Sequence, residues 1–304
     1  MRYLPALILL LLVACAGPTD PVINVSERPW LDTALTYNSV VDVEGNVYPT
    51  ITIGGQEWMV ENLRTTKYRN GDPIPQLDSS GLVGASAGGW SHYMNDTTTD
   101  LPYGLLYNGY TILDPRNVCP AGWHVPTDVE WGELELAVGL KKWELDQLGI
   151  SRGEHDDVGS LLKTVKYWDT SIVDVPGTNR FGFAGLPAGV FKRFSGYYGR
   201  GENLTMWTST EHSQDSLFTR SLTIPVFYTE DPVLGDLQMV TSDRVGVIRE
   251  VLIKTEGYSI RCVKDQTTGE RAWDIAPSDE RSANINTNHH ETHPLSVVAA
   301  SHDR

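Results

Sequence analysis

Cysteine is scarce in this chain, basic residues are outnumbered and apolar runs are short, and each shortage excludes something. Lys and Arg number 24 against 39 Asp and Glu, a net charge of −15. A surface of that sign repels phosphate backbones and argues against nucleic acid as a partner. The longest apolar run, residues 4–14 (LPALILLLLVA), is too short to cross a bilayer. No glycine-rich phosphate loop occurs, which removes one familiar signature of catalysis. His92, His124, His155 and His212 stand far apart in sequence, whereas a metal site needs clustered ligands at good spacing. His290 and His293 lie three apart around a single Glu and miss the H-E-x-x-H frame. The expectation is therefore no metal site, no cofactor and no catalytic residue.

What is present begins at the N-terminus. Arg2 precedes the apolar run and Cys15 follows it at once, the layout of a secretory signal peptide over residues 1–14. Leu12-Val13-Ala14-Cys15 resembles a bacterial lipobox, in which cleavage before the cysteine makes Cys15 the acylated first residue. Two or more acyl chains anchor a protein stably. The expectation is a lipoprotein of the bacterial cell envelope, held to the membrane through its N-terminal lipid. No Asp follows Cys15, so nothing retains it at the inner membrane and the outer membrane is the expected location. The alternative is an ordinary secreted protein with a cysteine there by chance.

With Cys15 taken by lipid, Cys119 and Cys262 remain. In an oxidising exterior two leftover cysteines read as one disulfide, two buried free thiols being the alternative. The 40% hydrophobic content and nine tryptophans supply one sizeable core rather than two.

Along the chain, residues 15–38 hold three prolines and no period, which suits a lipidated tether. Short β-runs broken by Gly and Asn turns occupy residues 40–60. Residues 77–101 are irregular by composition, and residues 103–110 (YGLLYNGY) fit strand or helix equally. One helix is fully signposted. Thr127 caps it, Glu130 caps back, Asp128 favours its positive end, and Pro126 blocks extension backwards. Trp131, Leu134 and Val138 then form a buried stripe. Residues 141–148 and 160–165 are further helical candidates. Residues 180–189, 204–210, 217–224 and 258–263 read as short, twisted, glycine-dense strands. Residues 266–304 are polar and aperiodic, a disordered tail by composition, which leaves 39–265 as the domain.

Five stretches taken together carry a resemblance: VDVEGNVYPTITIGGQEWMVENLRTTKY, YGLLYNGYTILDPRNVCPAGWHVPTDVEW, RFGFAGLPAGVF, MWTSTEH and GYSIRCVKD. In that order they resemble the Fibrobacter succinogenes major paralogous domain. The resemblance implies an α+β, C-type-lectin-like architecture: short twisted antiparallel strands, one or two helices, much irregular structure, and chain ends brought together. GWHVPTDVEW is also similar to the turn-to-helix element of formylglycine-generating sulfatase-modifying domains. On this reading Cys119 pins the helix entry to the last strand through Cys262, with Trp123 and Trp131 filling the core beside the bridge.

Sulfatase-modifying enzymes work with a pair of reactive cysteines, and none remains here once lipid and disulfide are assigned. Binding is the better expectation. Residues 194–201 (FSGYYGRG) and 206–212 (MWTSTEH) set aromatic faces beside polar groups, as sugar or peptide recognition requires. The candidate ligand-binding residues are Tyr197, Tyr198, Trp207 and Glu211, with core packing as the alternative for Trp207. Asp156 and Asp157, after Glu154, form either a calcium loop or a solvated acidic turn. The expected function is binding of an extracellular glycan or protein; the alternative is a structural or adhesive module.

Overall fold

The structure, a computed structural model, describes residues 21–171, 174–230 and 237–266. Cys15, the apolar leader and the tail with its histidines lie outside them. The strands of the first half are β1 (Asn38–Val41), β2 (Val47–Ile53), β3 (Gln56–Met59), β4 (Trp90–Ser91), β5 (Leu106–Asn108), β6 (Trp123–His124) and β7 (Ser151–Arg152). Those of the second are β8 (Ala188–Lys192), β9 (Gly196–Arg200), β10 (Asn203–Ser213), β11 (Ser216–Thr223), β12 (Val226–Glu230), β13 (Leu237–Thr241), β14 (Val247–Ile253), β15 (Gly257–Tyr258) and β16 (Val263–Lys264). Between them lie α1 (Ser79–Val83), α2 (Asp100–Tyr103), α3 (Gly109–Leu113), α4 (Asp128–Val138) and α5 (Val158–Leu162). The fold is α+β, and its curled sheets are almost wholly antiparallel.

One sheet runs β1-β2-β3-β16-β6, so the last strand is inserted between early ones. The larger runs β4-β5-β15-β8-β10-β11-β14-β7, with β9 hanging from β8. Strands β10 and β8 pair in parallel, Leu204 with Gly189. Strands β12 and β13 form a separate ribbon. Among the described residues no helix is long and apolar enough to cross a membrane.

Helix α4 forms as its sequence dictates. The Thr127 side chain accepts from the Glu130 N–H while the Glu130 carboxylate accepts from the Thr127 N–H, and Gly139 ends the helix at φ 123°. Trp131, Leu134 and Val138 are buried. Trp131 does not sit beside the bridge, however. It packs on Trp58 at 4.9 Å and Phe183 at 5.7 Å, while Trp123 alone shares a cluster with Cys119 and Cys262. The β2–β3 turn presses so closely on the helix that a Cβ on Gly54 (φ 59°) would lie 2.3 Å from that of Ala137, so only glycine fits.

Several of the polar groups buried in this core are charged. Glu135 on α4 is fully buried and accepts from Arg152 and Arg220, each at 2.7 Å. Arg220 and Arg249 converge on Asp128. Arg261, also fully buried, donates to Asn62 Oδ1 and Ala184 O at 2.8 Å, and burial holds it down to about 9.

Several expectations need correction. Residues 21–37 are not a free tether: Trp30 and Leu31 are buried, and Arg28 and the Trp30 indole both donate to buried Glu61. The helix expected over 141–148 shrinks to a 3-10 turn, Lys142–Glu144. Glu144 turns inward to accept from the Lys141 and Gly153 N–H groups, which leaves Trp143 72% exposed. Residues 180–187 are irregular because Gly182 and Ala184 adopt positive φ and Asn179 Oδ1 caps the Ala184 N–H. The third helix starts and ends earlier than expected, and α-helices number five among the described residues, though only α4 exceeds five residues. Residues 103–110 resolve into both options, strand β5 and then α3.

Cys119 and Cys262 are bonded, closing a loop of 143 residues. Loop closure of that size is a large constraint on the unfolded chain. The double variant Cys119→Ala/Cys262→Ala is expected to lose about 2–5 kcal/mol by denaturant titration; an undiminished midpoint would refute this. Lys163 makes a second prediction. It is fully buried, donates only to Thr223 O at 3.3 Å and lies 3.9 Å from the Trp168 ring centroid. Burial lowers it from 10.5 to about 8. The unfolded chain therefore binds more protons between pH 8 and 10.5, and this group's contribution to stability rises with pH across that window. Lys163→Met should melt higher than wild type at pH 7, with the gap narrowing by pH 10; a variant less stable at both pH values would contradict it.

Candidate functional site

The antiparallel hairpin β8–β9 decides where the candidate tyrosines point. Its register pairs Phe191 with Tyr197 and Val190 with Tyr198, and strand alternation sends the two tyrosines to opposite faces. Tyr197 goes inward: its ring lies 4.9 Å from Phe191 and 5.7 Å from Tyr93. Tyr198 goes outward and is 39% exposed. Burial raises its phenol first, and the nearby charges of Glu256 and Glu250 raise it further.

Around Tyr198 the large sheet presents a polar row that joins three strands. Thr205 Oγ1 and Ser221 Oγ lie 2.8 Å apart, and Ser221 donates to Glu250 at 2.8 Å. Glu256, in the turn after β14, accepts from the Tyr258 hydroxyl and from the Arg193 N–H. Thr205, Ser221 and Glu256 are buried, whereas Glu250 and Asn203 are half-buried. The reachable surface is thus an aromatic ring flanked by a carboxylate and an amide, a hydrogen-bonding edge. Sequence reading missed Glu250 because β14 was not recognised as a strand. The alternation of Thr205 and Ser221 with buried Leu204, Met206 and Leu222 was the available signal.

The other two candidates are elsewhere. Trp207 is fully buried, stacks against Tyr258 at 4.8 Å and donates its indole N–H to Tyr107 O at 2.7 Å. No ring face is left for a ligand, so its assignment as a binding residue is corrected to core. Glu211 lies ~20 Å along β10 from Thr205, at about 3.3 Å per residue, and accepts from nearly buried Lys254 at 2.5 Å.

The histidines stay apart as well. His92 meets Asp100 at 2.8 Å, His155 lies beside Arg244 and His212 stands edge-on to Phe218. Asp156 pairs with Lys141, while Asp157 accepts from the Val245 N–H, so the two acids are committed in different directions. Among the described residues no three metal-binding side chains converge.

With this geometry in view, comparison with known proteins finds that residues 51–264 match the Fibrobacter succinogenes major domain. The chain belongs to that family. No curated protein and no solved structure matches. The Fibrobacter succinogenes major domain here contains the hairpin, the polar row, both bonded cysteines and all of α4.

His124 holds the end of this domain. Its two ring nitrogens meet Glu130 at 2.9 Å and Asp265 at 2.6 Å, joining the α4 cap to the chain leaving β16. The hydrogen bond to Glu130, then that to Asp265, raise the imidazole above 6.5 against opposing burial. Burial would raise Glu130, but the bonds from His124 and the Thr127 N–H outweigh it and the net shift is down from 4.5. Lys264 faces Glu57 instead. A raised histidine stabilises fully below its unfolded value and ceases to do so as pH rises through its folded one; a lowered Glu acts above its unfolded value. The clasp is strongest between about pH 4.5 and 6.5. His124→Gln should flatten the fall in melting temperature from pH 6 to 8, and equal slopes in the two proteins would contradict this.

Proposed function

We propose that this chain is a lipoprotein of the bacterial envelope whose lectin-like domain binds an extracellular glycan. The observation that carries the reading is Tyr198, an exposed ring beside Glu250 on a hairpin backed by Phe191 and Tyr93. A sugar presents apolar C–H faces between hydroxyls, and an aromatic ring set among acceptors complements it. The lectin-like reading is supported by short curled sheets, by chain ends meeting where β16 enters between β3 and β6, and by the bridge tying α4's approach to the last strand. Binding is favoured over sulfatase-modifying chemistry because that chemistry uses reactive cysteines, and Cys119 and Cys262 are bonded to each other.

The anchor belongs to the same proposal. On this reading signal peptide 1–14 and acylation at Cys15 put the protein on a membrane, the outer one, and five residues separate Cys15 from Pro21, whose carbonyl accepts from the Ser39 hydroxyl. Such a linker reaches at most ~20 Å at 3.3–3.6 Å per residue, so the lipid holds the domain close to the bilayer. In a lipoprotein-competent host the wild type should partition into detergent and Cys15→Ser into water; equal partitioning removes the anchor. On a glycan array the full chain should bind a defined glycan set and Tyr198→Ala should lose it at unchanged melting temperature. An array without signal would favour the structural or adhesive alternative.

A further inference from the structure

The hairpin tip, Lys192-Arg193-Phe194-Ser195, has properties that the Tyr198 face does not use. Phe194 is 93% exposed, and the Arg193 guanidinium lies 5.5 Å from its ring centroid. From Lys192 to Gly201 the sequence has three cations and no acid, in a chain of net charge −15. Arg28, Arg64, Arg116, Arg249 and Lys264 each sit on a carboxylate. Lys192, Arg193 and Arg200, by contrast, take part in no ion pair among the described residues.

The tip is also firmly presented. Four paired positions join β8 to β9, Tyr197 is wedged between Phe191 and Tyr93, and the Arg193 N–H is held by Glu256. Arg200 is at the base of the hairpin over the Tyr93 ring, four residues along β9 from the position facing Lys192, or ~13 Å. Cations at both ends of so short a hairpin suit a polymer that carries a charge on successive units.

We infer that this tip is a docking site for a carboxylated polysaccharide. The Arg193 guanidinium matches a carboxylate with two parallel N–H donors, and the bare Phe194 ring takes the apolar face of the adjoining sugar. The net negative charge of the chain opposes a polyanion elsewhere, which confines engagement to the tip. This rests on the glycan-binding reading and narrows it to acidic polymers.

The test uses the full chain with polygalacturonate, its fully methyl-esterified form as the uncharged control, and phosphatidylglycerol vesicles. Binding is followed by biolayer interferometry at two salt concentrations. Polygalacturonate should bind, more weakly at higher salt, and the ester should not. Arg193→Glu and Phe194→Ala should each weaken binding by about tenfold or more at unchanged melting temperature. Equal binding of acid and ester, tip variants that bind like wild type, or tip-dependent binding to vesicles alone would each overturn the proposal. Binding of a neutral glycan that Tyr198→Ala abolishes and the tip variants leave intact would retain the broader reading and reject this one.

Discussion

The buried carboxylate of Glu135 is the fixed point of this molecule. It has no solvent, and two arginines from different strands of the large sheet reach it, Arg152 from edge strand β7 and Arg220 from β11. Removing one member of such a group strands a charge in the interior, at about 3–5 kcal/mol. Replacing the whole group with apolar residues can be neutral, so its contribution is register. Any slide of α4 by one turn, or of β11 by two residues, parts Glu135 from its arginines, a penalty that apolar packing alone would not impose. Asp128 extends the same logic to Arg220 and Arg249 at the helix start.

Fixing α4 against one face of the sheet frees the other face for display. On β10 and β11, Leu204, Met206 and Leu222 join the α4 side of the core, while Thr205 and Ser221 point the opposite way to Glu250. Trp207 follows Thr205 on that second face and is covered, because β15 and β5 bring Tyr258 and Tyr107 across it. Phe194 and Tyr198 stay exposed because they hang beyond this cover, on the hairpin that leaves the sheet through β8.

Much of this was legible in the residues. The α4 cap needed only Thr127, Glu130 and Pro126, because capping is local chemistry, and the pairing of Cys119 with Cys262 followed from counting. Other features depended on distant partners. Glu144 forms a turn rather than a helix because Gly153 needs an acceptor, and nothing within residues 141–148 announces that. Residues 21–37 looked like a tether because Arg28 and Trp30 find their partner in Glu61. Strand β14 escaped because Arg249 and Glu250 interrupt its apolar pattern, although each is satisfied across the sheet.

The candidate site divides along the same line. Tyr197 and Tyr198 are adjacent and chemically identical, so composition cannot rank them. The register that pairs Val190 with Tyr198 can, and a slip of one residue would exchange their roles. That register is held by Tyr197 itself, whose ring fills the gap between Phe191 and Tyr93. One tyrosine is therefore buried so that its neighbour stays exposed, and the surface offered to a ligand is set by the packing directly behind it.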